Sequence, residues 1–65
     1  MIQDAEVIES LELLRREWGH GYLIWFQAGQ YWACRRDNAA ICRRAKAKDL
    51  RREMDTDYRA CPVLV

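Results

Sequence analysis

The most constraining feature of the sequence is a stretch, residues 22–36, in which apolar side chains occupy consecutive rather than alternate positions. Residues 22–26 are mostly aromatic and branched aliphatic residues, which favour a strand. Residues 27–30 are typical of a tight turn, with Gly29 supplying a positive φ. Residues 31–36 then return as a second strand. The sequence therefore predicts a β-hairpin that is apolar on both faces.

A loop of two residues, Ala28 and Gly29, determines which side chains share a face of this hairpin. It sets Trp25 opposite Trp32. A small antiparallel sheet usually packs helices on one face and leaves the other face polar. An apolar patch on that second face usually marks an interaction surface. We therefore expect a partner or dimer interface formed by Leu23, Trp25, Trp32 and Cys34.

Three arrangements would shield both apolar faces of the hairpin from water. Two helices could straddle the sheet, one on each face, within a monomer. The open face could instead pack against its copy in a homodimer. It could also receive another protein, a peptide or nucleic-acid bases, since aromatic side chains on a sheet can stack on bases. We expect a homodimer or another protein partner, and the sequence leaves the alternatives open.

A helix is predicted before the hairpin. Val7, Leu11 and Leu14 recur at intervals of three and four residues, and the apolar stripe that they form continues to position 18. Asp4 is the expected N-cap. Gly19 is expected directly after the last helical residue.

Residues 39–61 allow two interpretations. Ala47, Leu50 and Met54 share one face of a helix, whereas Ile41 and Cys42 fall on the opposite face. This change of phase favours a short strand over 40–44 and a helix over 46–60 that ends before the proline at position 62. The predicted fold class is α+β, a helix, a three-stranded antiparallel sheet and a C-terminal helix (αβββα), in one domain of residues 1–65. The alternative is αββα with one long helix.

Charge is balanced over the whole chain, at +1, but unevenly distributed along it. A near-neutral total argues against a protein that mainly coats nucleic acid. Residues 35–52 nevertheless carry eight basic and two acidic side chains, which makes them a candidate anion or nucleic-acid patch. Its basic members are Arg35, Arg36, Arg43, Arg44, Lys46, Lys48, Arg51 and Arg52.

The candidate reactive groups are one histidine, His20, and three cysteines, Cys34, Cys42 and Cys61. An odd number of cysteines is typical of free thiols in a reducing compartment. A disulfide between Cys34 and Cys42 requires one particular strand register. The sequence contains no CxxC or HxxxH pair, so we expect no metal or cofactor. His20 has no neighbouring serine or acid, and we expect no enzymatic activity.

No apolar run approaches the ~18 residues that a transmembrane helix requires. The first six residues contain two acidic side chains and no basic one, unlike a signal peptide. We therefore expect a cytoplasmic protein. The apolar C-terminal segment 61–65 is expected to pack against the sheet, or to add to a sheet edge as a strand.

A pattern between residues 21 and 63 consists of Gly29-x-x-Trp32-Ala33-x-Arg35-Arg36-Asp37, then Leu50-Arg51, Asp57-Tyr58 and Pro62-Val63. It resembles a group of short, uncharacterised actinobacterial proteins. Cys61 stands where that pattern has a basic residue. The resemblance implies a similar fold and no established activity.

The basic run over 43–48, at the start of the last helix, resembles the phosphate-contacting segment of double-stranded RNA-binding domains. The order of helix, three strands and helix is also similar to that family. The resemblance implies that Arg44, Lys46 and Lys48 contact phosphates. The chain departs from the family in lacking its glycine-rich approach to this segment and its alanine-rich final helix.

Overall fold

The computed structural model describes residues 5–63. They form five elements in the predicted order, which confirms the αβββα fold class. Ile41–Arg44 pairs with the second strand of the hairpin, so the alternative with one long helix is wrong. The elements are α1 (Ala5–Trp18), β1 (Tyr22–Gln27), β2 (Gln30–Arg35), β3 (Ile41–Arg44) and α2 (Ala47–Ala60).

The sheet is antiparallel throughout, with β2 between β1 and β3. Trp25 is paired with Trp32, as the two-residue loop predicts. Ala28 and Gly29 both have positive φ, 52° and 74°, as a type I′ turn requires at its two central residues. This turn fixes the register, and the register determines which side chains of the hairpin face the core.

Both helices pack on the same face of the sheet. Leu11 and Leu14 of α1 and Leu50 and Met54 of α2 are buried in one cluster. The sheet residues in this cluster lie at alternate positions along their strands, so their side chains point to one face of the sheet. They are Tyr22, Ile24, Tyr31 and Ala33. The arrangement in which the helices straddle the sheet is therefore wrong. The described part of the chain has two layers, and the second face of the sheet has no helix over it.

Close contacts with neighbouring atoms explain the two glycines that follow α1. A Cβ at Gly19 would collide with the carbonyl oxygen of Arg15 in the last turn. A Cβ at Gly21 would lie 3.2 Å from the side chain of Val63, which is buried in the core. The C-terminal segment therefore packs against the core at Val63. The predicted N-cap, Asp4, and residues 64–65 lie outside the described residues.

Replacing Ala28 with asparagine is expected to stabilise the protein. Ala28 has a φ of 52°, a left-handed conformation that asparagine tolerates better than alanine. The free energy of unfolding should rise by about 0.5 kcal/mol, measured by urea unfolding. The control is Ala45→Asn, at an exposed position outside the left-handed region, which should bring no gain. A loss of stability in Ala28→Asn would contradict the assigned turn.

Candidate interaction surface

The open face is the surface of the sheet opposite the two helices. Strand parity and register give its apolar and charged members as Leu23, Trp25, Trp32, Cys34, Ile41 and Arg43. The first four are the predicted interface residues, and the structure brings them together on one face. Leu23 is 50% exposed and Ile41 is 60% exposed, whereas both tryptophans and Cys34 are partly exposed.

A ladder of three flat groups crosses the open face from one sheet edge to the other. The indole rings of Trp25 and Trp32 stack with centroids 5.9 Å apart and an interplanar angle of 10°. The guanidinium carbon of Arg43, opposite Trp32 on β3, lies 5.2 Å from the centroid of the Trp32 ring. This distance is within the range of a cation–π interaction. The ladder therefore consists of one cation and two aromatic rings.

Gln27, at the end of β1, anchors both indole rings. Its side-chain Oε1 accepts a hydrogen bond of 3.2 Å from Trp25 Nε1, and its backbone oxygen accepts one of 2.9 Å from Trp32 Nε1. The polar edge of each ring is thus occupied within the hairpin. What the rings present outward is apolar surface whose orientation is already fixed.

The strand register separates two of the thiols. Cys34 is paired with Ile41, and Cys42 is paired with Ala33. Neighbouring positions along a strand point to opposite faces, so Cys34 lies on the open face and Cys42 on the helix-covered face. Burial raises the pKa of the Cys42 thiol. All three cysteines are free, and this register does not permit a disulfide between Cys34 and Cys42.

Arg35 was predicted to be part of the exposed basic patch, but its side chain is buried. Its side chain is 4% exposed because it shares strand parity with Ala33 and faces the helices. Its guanidinium forms ion pairs with Asp37, at 2.9 Å, and with Asp57 of α2. It also donates a 2.8 Å hydrogen bond to the backbone oxygen of Cys61. Arg35 therefore connects the sheet to α2 and to the C-terminal segment.

The carboxylates around Arg35 are held in their charged form. Hydrogen bonding to Arg35 lowers the pKa of both Asp37 and Asp57. Tyr22 donates a 2.9 Å hydrogen bond to Asp57, and desolvation together with this bond raises the Tyr22 pKa. These four residues form a polar network at the edge of the core, in which Arg35 and Tyr22 are buried and both aspartates are exposed.

The other basic residues of the predicted patch are dispersed. Arg44 pairs with Glu53 at 3.1 Å and Arg51 with Glu17 at 3.5 Å. Arg36 donates a 2.9 Å hydrogen bond to the backbone oxygen of Gly19. Arg43 is on the open face. The remaining members, Lys46, Lys48 and Arg52, are exposed at or near the start of α2 and form no ion pair within residues 5–63. The eight basic residues therefore do not form one continuous surface, although Lys48, Arg51 and Arg52 line one pocket beside α2 together with Glu17 and Asp55.

His20, the candidate general base, lies between α1 and β1. His20 is exposed, and its ring packs edge-on against Tyr58 with centroids 6.0 Å apart. No group of three or more histidine, cysteine or acidic side chains in that range could hold a metal ion. No described helix is both long enough and apolar enough to cross a membrane.

Comparisons of the chain with protein-family models, with curated proteins and with solved structures found no match. The geometry of the described residues is therefore the basis for the functional assignment.

Sequence reasoning missed the Arg35 network and the position of Arg43 in the ladder. The burial of Arg35 could have been predicted from its position in β2. It lies two residues after Ala33 and four after Tyr31, and alternate residues of a strand point to the same face. The contribution of Asp57 depends on the packing of α2. The position of Arg43 depends on how β3 pairs with β2.

Acid is expected to destabilise the protein through Asp37 and Asp57. Their folded pKa values are lowered, so their stabilising effect is complete above the unfolded value of about 3.9. It is lost as the pH falls through the lower folded values. Asp57→Asn should therefore make the free energy of unfolding less dependent on pH below about 4, measured by urea unfolding across that range.

The control for this prediction is Asp55→Asn. Within residues 5–63, Asp55 pairs with the exposed Arg59 of the same helix, at 3.3 Å, and such pairs contribute little. Its pH profile should remain parallel to that of the unmodified protein. If Asp57→Asn gave the same parallel profile, the Arg35 network would not be the source of the acid sensitivity.

Proposed function

We propose that this protein is a small non-catalytic interaction protein, a regulatory adaptor that self-associates through the open face of its sheet. The observation that carries the proposal is the position of the two helices. Both pack on one face, which leaves the stacked Trp25 and Trp32 rings on the other. An aromatic pair of this kind is typical of the centre of a protein–protein interface.

The energetics favour covering this face. Burying a leucine or isoleucine side chain completely contributes about 1.5–3 kcal/mol. Leu23 and Ile41 are 50% and 60% exposed, so roughly half of that contribution is still available at each residue. The tryptophans add to it. The sum is comparable with the few kcal/mol of stability expected of so small a fold.

The composition of the open face favours a protein partner. Arg43 is its charged member, and the polar members Gln27 and Gln30 lie at the turn end. Depletion of charge around aromatic residues is characteristic of the core of protein interfaces. A second copy of the chain presents the same apolar surface and can cover the first without any other component.

Ile41→Glu is expected to abolish self-association. Ile41 is already 60% exposed in the monomer, so the monomer should tolerate a charge there, whereas a dimer interface would have to desolvate it. Sedimentation velocity at micromolar concentrations should show a dimer for the unmodified protein and a monomer for the variant. The matched control is Leu13→Glu on α1, where the leucine is 55% exposed, and it should remain dimeric.

Two results would contradict self-association. One is an unmodified protein that stays monomeric at high micromolar concentration, and the other is an equal loss of dimer in the Ile41 and Leu13 variants. Circular dichroism of each variant checks that the fold is retained.

A second candidate function is binding to single-stranded nucleic acid. It is favoured by the stacking of Arg43 on Trp32, because aromatic rings beside a cation form a platform for bases. It is weakened by the burial of Arg35 and by the ion pairs of Arg44 and Arg51. These leave fewer cations for phosphates.

Mobility-shift titration with single-stranded and duplex oligonucleotides at low salt tests this second candidate. Binding through the open face should weaken steeply as salt rises. It should also fall about tenfold or more in Trp32→Ala, since loss of stacking costs about 1–3 kcal/mol per base. Absence of any shift at low salt would rule out nucleic-acid binding.

A further inference from the structure

The open face is organised in three rows that run across the strands. Each row joins residues that are paired in the register. The row at the turn end is polar, the middle row is the ladder, and the last row is apolar. In the order β1, β2, β3 the rows are Gln27 and Gln30; Trp25, Trp32 and Arg43; and Leu23, Cys34 and Ile41.

We propose that the partner of this face is a second copy related by a two-fold axis parallel to β2. This inference rests on the proposed self-association and specifies its geometry. Such an axis keeps each row opposite the same row of the partner and exchanges the two sheet edges. β1 then faces the β3 strand of the partner, so Arg43 of each chain meets the partner's Trp25.

The two ends of the ladder are complementary. Trp25 stacks on Trp32 with one ring face and lies on the edge strand β1, which has no strand beyond it. Arg43 lies at the other edge and forms no ion pair within residues 5–63. A cation placed against an indole ring is stabilising, and more so when it is desolvated. The Arg43 cation at the β3 edge can therefore contact the Trp25 ring at the β1 edge of a second copy.

The other simple two-fold arrangement is unfavourable. An axis along the ladder, across the strands, would set each strand against the same strand of the partner. Arg43 would then face the partner's Arg43, and like charges in an interface cost free energy. The apolar row would also face the polar glutamine row. An axis parallel to β2 avoids both mismatches and corresponds to the aligned packing of sheets.

The size of the face indicates a weak dimer. Strands of four to six residues rise about 3.3 Å per residue and lie about 4.8 Å apart. Three of them cover less than the ~800 Å² per partner of a standard interface. We therefore expect dissociation in the micromolar range, where a change at one residue of the ladder is measurable.

Arg43→Gln distinguishes the two arrangements by the sign of its effect. With the axis parallel to β2, the variant loses two symmetric cation–π contacts, and the dissociation constant should rise on the order of tenfold. With the axis across the strands, it removes a repulsion, and the dimer should tighten. The control is Arg52→Gln, an exposed arginine on α2, which should leave the dissociation constant unchanged. Sedimentation equilibrium measures all three proteins.

Cross-linking at Cys34 gives an independent readout. Cys34 belongs to β2, the central strand, so the proposed axis brings it opposite the partner's Cys34. A variant that keeps only this thiol, with Cys42→Ala and Cys61→Ala, should form a covalent dimer with a short bismaleimide. The matched variant that keeps only the exposed Cys61, with Cys34→Ala and Cys42→Ala, should react without forming a dimer.

The outcomes separate this geometry from the proposed function. A protein that is monomeric at all concentrations refutes self-association itself. A dimer that Ile41→Glu disrupts, but that Arg43→Gln tightens or leaves unchanged, overturns the axis parallel to β2 and preserves self-association. Failure of the Cys34 variant to cross-link while it sediments as a dimer overturns the geometry as well.

Discussion

The packing of both helices against a single face of the sheet is the constraint on which the rest of the structure depends. Each helix contributes two buried side chains to the core on the same face of the sheet. They are Leu11 and Leu14 from α1 and Leu50 and Met54 from α2. Within residues 5–63, two helices are available to cover a sheet that is apolar on both sides. Concentrating them on one side gives a continuous core and leaves the aromatic pair on a face that no described helix covers.

Arg35 shows how the same constraint governs a charged residue. Strand parity directs its side chain toward the helices, where an unpaired charge would be costly. Asp37 on the following loop and Asp57 on α2 supply compensating charges, and the Cys61 carbonyl completes its hydrogen bonding. The consequence is a polar connection between the sheet, the last helix and the C-terminal segment. It restricts how α2 is positioned on the sheet.

Much of the fold can be predicted from the sequence because it depends on local patterns. The turn at Ala28 and Gly29 fixes the hairpin register, and the change of helical phase near residue 45 separates β3 from α2. The position of the helices relative to the sheet is not local. A helix with one apolar stripe packs equally well on either face of a two-faced sheet, so only the assembled core decides between them.

The candidate site was predicted in part for the same reason. Leu23, Trp25, Trp32 and Cys34 share a face by parity alone, and the structure places them together. Ile41 and Arg43 join them only through the pairing of β3 with β2. The basic block was predicted from closeness in sequence, but residues 35–52 lie on two sheet faces, a loop and a helix. Arg35 is therefore buried, while other members remain exposed.

The hydrogen bonds that both indole N–H groups donate to Gln27 bear on the rate and affinity of the proposed self-association. A side chain that is free in solution loses rotamer entropy on association, about 0.5–1.5 kcal/mol for a flexible residue. Here the hairpin has already restricted both rings before any encounter. In the proposed self-association, docking would therefore be a nearly rigid-body event, and a small contact area would retain more of its attraction as affinity.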